Sequence, residues 1–121
     1  MLKRDDEEHP IPPRFRGTFG KIVDAFCRGD FALSDPPVDG VAAIDATTQA
    51  TIASSIAGYG DPLASLDEAT WDRSCYRWME SHWEMLVDLT TTREAVSDLT
   101  LHARFHDGPQ GLIEVTSVHV P

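Results

Sequence analysis

Cysteine is scarce in this chain of 121 residues: there are two, Cys27 and Cys75. Two thiols so far apart make neither a disulfide framework nor a paired-cysteine metal motif, and they read as free thiols of a reducing compartment. Long apolar runs are also missing. No stretch approaches the roughly 18 residues of a membrane helix. The opening MLKRDDEEHPIPP holds no apolar segment that would act as a secretory signal. These absences lead to the expectation of a cytoplasmic protein with no membrane partner. Basic residues are few as well, ten Lys and Arg against twenty Asp and Glu, for a net charge of −10. From Asp61 onward eleven acids face four arginines. Such a surface repels phosphate backbones, which disfavours direct nucleic-acid binding, and it attracts a basic protein.

The length fits one domain with a core that needs neither metal nor disulfide. Residues 1–13 read as a flexible arm, because a charge run is followed by HPIPP, whose prolines oppose a helix. A first helix is expected over Phe15 to Arg28, with Phe15, Phe19, Ile22, Val23 and Phe26 in one stripe and Gly29 as its stop. After the loop SDPPVDG, a second helix runs from Asp45, its cap, to Gly58. Its expected apolar face is Ala46, Ala50, Ala53, Ile56 and Ala57, with Ile52 and Tyr59 beside it. Ser65 and Glu68 form a capping-box pattern that opens one helical turn and carries Trp71 inward.

From Cys75 the apolar period becomes two. Tyr76 and Trp78, then Trp83, Met85, Val87 and Leu89, then Leu99, Leu101, Ala103 and Phe105 alternate with the residues between them, and Leu112 to Val120 is an apolar, β-branched run with Ile113 and Val115 on one face. A bulge near Thr116–Ser117 would return Val118 and Val120 to the inner face. Alternation after Ser97 opposes a helix over Thr92–Phe105. The expected fold is therefore α+β: two to three N-terminal helices packed on one face of a four-stranded antiparallel meander, with residues 14–121 as a single domain.

The densest stretch, YRWMESHWEMLVDL, reads as a hairpin. The segment ESH supplies the turn, and Trp78 and Trp83 pair on the inner face. Catalytic readings are weaker. The His82–Glu84 spacing resembles half of a zinc deaminase signature, but no cysteine pair follows. A Cys75–His82 dyad needs both side chains on one face. Glu84 and Asp88 lie four apart with no pocket implied. His102 and His106 lie about 13 Å apart on a strand, too far for one ion, although Glu114 or His119 on the next strand would pair with either. No cofactor or metal is expected, and no enzyme activity.

What remains is the outer sheet face, mixed in charge and bearing histidines. Together with the acids Asp67, Glu68 and Asp72, it is the expected partner surface: Arg77, Glu84, Asp88, His102, Arg104 and Glu114. Arg77, Tyr59 and Trp71 are candidate anchors where exposed. The segments GKIVDAFCRGDFAL, IAGYGDPLASLDEATWDRSCYRWMESHWEMLVDLTTTREAVSDLTLHARF and SVHVP resemble a small bacterial family of unknown-function domains. Members of that family are similar to immunity proteins of contact-dependent growth inhibition (CdiI-like) and polymorphic-toxin systems. The resemblance implies inhibition by binding. The partner would be a cognate toxin C-terminal domain, a basic protein and most often a nuclease. The alternative is a small ligand-binding or enzymatic domain that uses the outer sheet face.

Overall fold

The computed structural model describes residues 2–109 and 111–121. In it, helix α1 spans Pro13–Cys27. The prolines that oppose a helix interior suit its start, since Pro13 occupies the first helical position, where no N–H is needed. The expected stripe is buried in full: Phe15, Phe19, Ile22, Val23 and Phe26. The helix ends in a Schellman motif. Gly29 takes φ +81°, its N–H donates to Phe26 O at 3.0 Å, and Asp30 N–H donates to Ala25 O at 2.9 Å.

Helix α2 spans Ala46–Tyr59, and the Asp45 carboxylate accepts from Thr48 N–H at 2.7 Å. Its inward face differs from the expected one. Ala46, Ala50 and Ala57 are exposed, whereas Ile52 is fully buried and Thr48, Gln49, Ala53, Ile56 and Tyr59 are half-buried. The stripe is turned toward the branched side chains, which remove more apolar area from water than alanines do. α2 packs on the last strand of the sheet.

The main sheet has five strands rather than four. In spatial order they are β1 (His9–Pro10), β3 (Cys75–Trp78), β4 (Trp83–Asp88), β6 (Thr100–Phe105) and β7 (Ile113–His119), with every neighbouring pair antiparallel. The last four form the expected meander. Strands β2 (Leu63–Ala64) and β5 (Thr90–Thr91) make a separate two-stranded clip. The inner face is built in cross-strand rows: Trp78, Trp83, Phe105 and Ile113, then Tyr76, Met85, Ala103 and Val115. Phe15 of α1 meets Phe105 edge-on at 5.0 Å between ring centroids. The bulge falls at Thr116, since His102 pairs with Ser117 and Ala103 with Val115. It returns Val118 to full burial, while Val120, beyond the strand, is 53% exposed.

The expected third helix is a 3₁₀ turn, Glu68–Asp72. Its cap is Asp67, which accepts from Ala69 N–H at 2.9 Å, whereas Ser65 donates its hydroxyl to Asp24 of α1 at 2.6 Å. The turn carries Trp71 into the core, as expected. The first residues, expected as a loose arm, lie against the sheet. Leu2 and Ile11 are buried, β1 extends the sheet beside β3, and Trp83 Nε1–H donates to Lys3 O at 2.9 Å. The apolar residues Leu2 and Ile11 and the indole N–H supply contacts that the charge run between them conceals.

Candidate interaction surface

Residues pointing away from the helices form three rows across the sheet. The first is Arg77, Glu84, Arg104 and Glu114, one from each of β3, β4, β6 and β7. Charge alternates along it, and opposite charges face each other across every strand boundary. The Arg77 guanidinium lies 3.3 Å from Glu84. The second row is Cys75, Leu86, His102 and Ser117, and the third contains Asp88, Thr100 and His119. Every member of the three rows is exposed or half-buried except Thr100.

The expected partner residues separate into two neighbouring groups. Arg77, Glu84, Asp88, His102, Arg104 and Glu114 share the sheet face. Asp67, Glu68 and Asp72 lie on the 3₁₀ turn and are exposed. The turn is fastened to β4 by the Thr70 hydroxyl, which donates to Asp88 O, and Arg73 at its end lies 3.6 Å from the Asp88 carboxylate. The two groups therefore adjoin at the Arg73–Asp88 pair. Asp88 is the least available of the set. Its side chain is 18% exposed, and Oδ1 accepts from the Thr100 hydroxyl at 3.1 Å. Among the anchors, Arg77 is exposed. Trp71 is buried and Tyr59 half-buried, with its hydroxyl donating to Glu94 at 2.8 Å, so neither is presented.

Two of the sheet-face histidines pair with each other, and a third approaches a carboxylate. His102 and His119 stack with centroids 4.1 Å apart, and His106 lies 3.9 Å from Glu114. His102 Nε2 is buried without a hydrogen-bond partner among the described residues. Burial, and after it the His119 charge, lower the His102 pKa. An unpartnered ring nitrogen under a stacked neighbour is a poor place for a proton. Cys75 is opposite Leu86, not His82, so the hairpin does not form the dyad. Burial first, then the Glu8 charge, push the Cys75 thiol up to about 11, far from a thiolate at neutral pH.

Sequence reasoning missed the covering of the Trp hairpin. The Arg4 guanidinium sits 4.7 Å from the Trp78 ring centre and 5.1 Å from that of Trp83, and it pairs with Asp107 at 3.6 Å. Trp78 and Trp83 lie 4.7 Å apart, as the hairpin reading required. The hidden signal was Leu2 two residues before Arg4, an apolar anchor beside a cation that can stack on rings. No helix among the described residues is long and apolar enough to cross a membrane. No curated protein and no solved structure matches the chain. A family model described as Domain of unknown function (DUF7668) matches residues 23–121, and the chain belongs to that family.

Proposed function

We propose that this protein is a non-catalytic immunity protein. It binds and neutralises a cognate toxin domain, a basic nuclease, of a contact-dependent growth inhibition or polymorphic-toxin system in the cytoplasm. The observation that carries the reading is the charged face of the sheet. Four charged side chains cross it in register, and the acidic 3₁₀ turn adjoins it at Arg73–Asp88. Strand-borne side chains hold a fixed spacing, which suits specific pairing with a complementary surface. The net charge of −10 accelerates encounter with a basic partner. An acidic cover over a nuclease's substrate groove excludes the phosphate backbone by competing for the same cations. The resemblance to immunity proteins supplies the partner class.

The test is co-expression. The C-terminal domain of a large secreted protein encoded beside this chain is expressed in cells with and without it. The reading expects killing by the domain alone, rescue by this protein and co-purification of the two. Killing without rescue sinks the immunity role.

A further inference from the structure

The N-terminal segment carries a cluster apart from the sheet face. Asp5, Glu7 and His9 alternate with Asp6 and Glu8. On a fully extended strand the first and last would lie about 13 Å apart. Here the backbone bends at residues 5–7. One ligand-capable atom from each of Asp5, Glu7 and His9 falls within 4.8 Å of the others. Among the described residues no other three His, Cys, Asp or Glu side chains converge so closely.

Three features together favour a cation. The donors are an imidazole nitrogen and two carboxylates, a set suited to zinc and other first-row divalent ions rather than to calcium or magnesium, which take oxygen ligands. The spacing fits: His9 Nε2 and Asp5 Oδ1 are 2.8 Å apart. Two ligands each about 2.1 Å from one ion sit roughly 3.0–3.4 Å from each other. An ion therefore replaces the hydrogen-bond proton with a small opening of the pair. Finally, of the four consecutive acids Asp5 to Glu8, Asp5 accepts from His9 and from Glu7 N–H at 3.0 Å, whereas the side chains of Asp6, Glu7 and Glu8 have no hydrogen bond or ion pair among the described residues. Arg4 is turned to Asp107 and the tryptophan rings.

The geometry points to a divalent transition-metal site formed by Asp5, Glu7 and His9, with water completing the coordination, that fastens the N-terminal segment over the Trp78–Trp83 hairpin. The site lies between two existing attachments. On one side Lys3 N–H donates to the Tyr76 hydroxyl at 2.9 Å and Lys3 O accepts from Trp83. On the other, His9 is paired with Tyr76 in the sheet and its ring lies 5.2 Å from the tyrosine ring. Closing the loop between them with an ion ties Asp5 and Glu7 to a residue already held by β3.

Zinc chloride titrated calorimetrically into the full chain near neutral pH tests this, with thermal unfolding and tryptophan fluorescence as parallel readouts. The expected result is one ion bound per chain, a higher Tm and a change in tryptophan emission. His9→Gln and Glu7→Gln should each weaken binding at least about tenfold. Glu7→Gln is the cleaner variant, because its carboxylate makes no hydrogen bond or ion pair among the described residues. His102→Gln should bind zinc as the unaltered chain does. Absence of binding overturns the site, as does binding that survives Glu7→Gln and His9→Gln or that is lost in His102→Gln.

Discussion

Glu80 takes φ 72° in the hairpin turn, closed by Met79 N–H donating to His82 O at 2.8 Å. A side chain in this left-handed region costs about 1 kcal/mol, and glycine escapes that cost at the expense of a more flexible unfolded chain. Glu80→Gly should therefore stabilise by a few tenths to about 1 kcal/mol, seen as a Tm rise of roughly 1–4 °C. Glu80→Val, β-branched, should lower Tm, and equal Tm values for both would show that the turn carries no such strain. His102 gives a pH effect at the same scale. Its folded pKa lies below the ordinary 6.5, held there by burial and by His119, against the opposing pull of Glu84. As pH falls, the unfolded chain takes the proton first. The contribution is complete above about 6.5 and is lost as pH drops through the lowered folded value. His102→Gln should flatten stability over that window in urea titrations at a series of pH values. An unchanged slope would assign it to other groups.

At the scale of elements, the clip between β2 and β5 rests on Asp61. Its carboxylate accepts from the Thr92 hydroxyl at 2.6 Å and from Arg93 N–H at 3.2 Å. Hydrogen bonds from the Thr91 and Thr92 side chains, and then the Arg93 N–H, hold its pKa below the usual carboxylate value. A depressed carboxyl stabilises above the unfolded pKa, and that stability is lost as pH falls through the folded one. Asp61→Asn should lower stability at neutral pH and remove part of the acid slope below about 3.8. An unaltered acid limb by circular dichroism would rule this out. The clip was not legible in the sequence, because two-residue strands leave no periodicity. The meander and α1 were legible, since large side chains repeat there at clear spacing. Faces were harder in α2, where ATTQATIASSIAGY is mostly small residues and only Ile52 and Ile56 carry a strong signal. The rows of the candidate surface followed from strand alternation. The stacking of His102 on His119 agrees with the bulge expected near Thr116–Ser117, whereas the docking of Arg4 on the tryptophans needed the three-dimensional path of the chain.

On the scale of the whole molecule, charge is the property that bears on the proposed partner, and two neighbouring surfaces compete to be its contact, the mixed-charge rows of the sheet and the acidic 3₁₀ turn. Reversal variants separate them if the fold survives. Asp88 is unsuitable, because its side chain is mostly buried between Thr100 and Arg73 and its reversal would strand a charge there. Glu84 and Glu114 are better placed, with side chains 31% and 51% exposed. The Glu84 ion pair with Arg77 and the approach of Glu114 to His106 are surface contacts worth about 1 kcal/mol or less each. Glu84→Lys with Glu114→Lys should thus keep the circular dichroism spectrum and a cooperative melt. It converts the alternating row into four cations, and a basic partner should associate more slowly, with a flatter dependence on salt. Glu68→Lys with Asp72→Lys makes the matching change on the 3₁₀ turn. If only the sheet variant slows association, the rows form the interface. If only the turn variant does, the partner sits on the helical side of Arg73–Asp88 and the sheet face is set aside. If neither changes the rate or its salt dependence, steering by these acids is excluded, and with it the electrostatic part of the proposed inhibition.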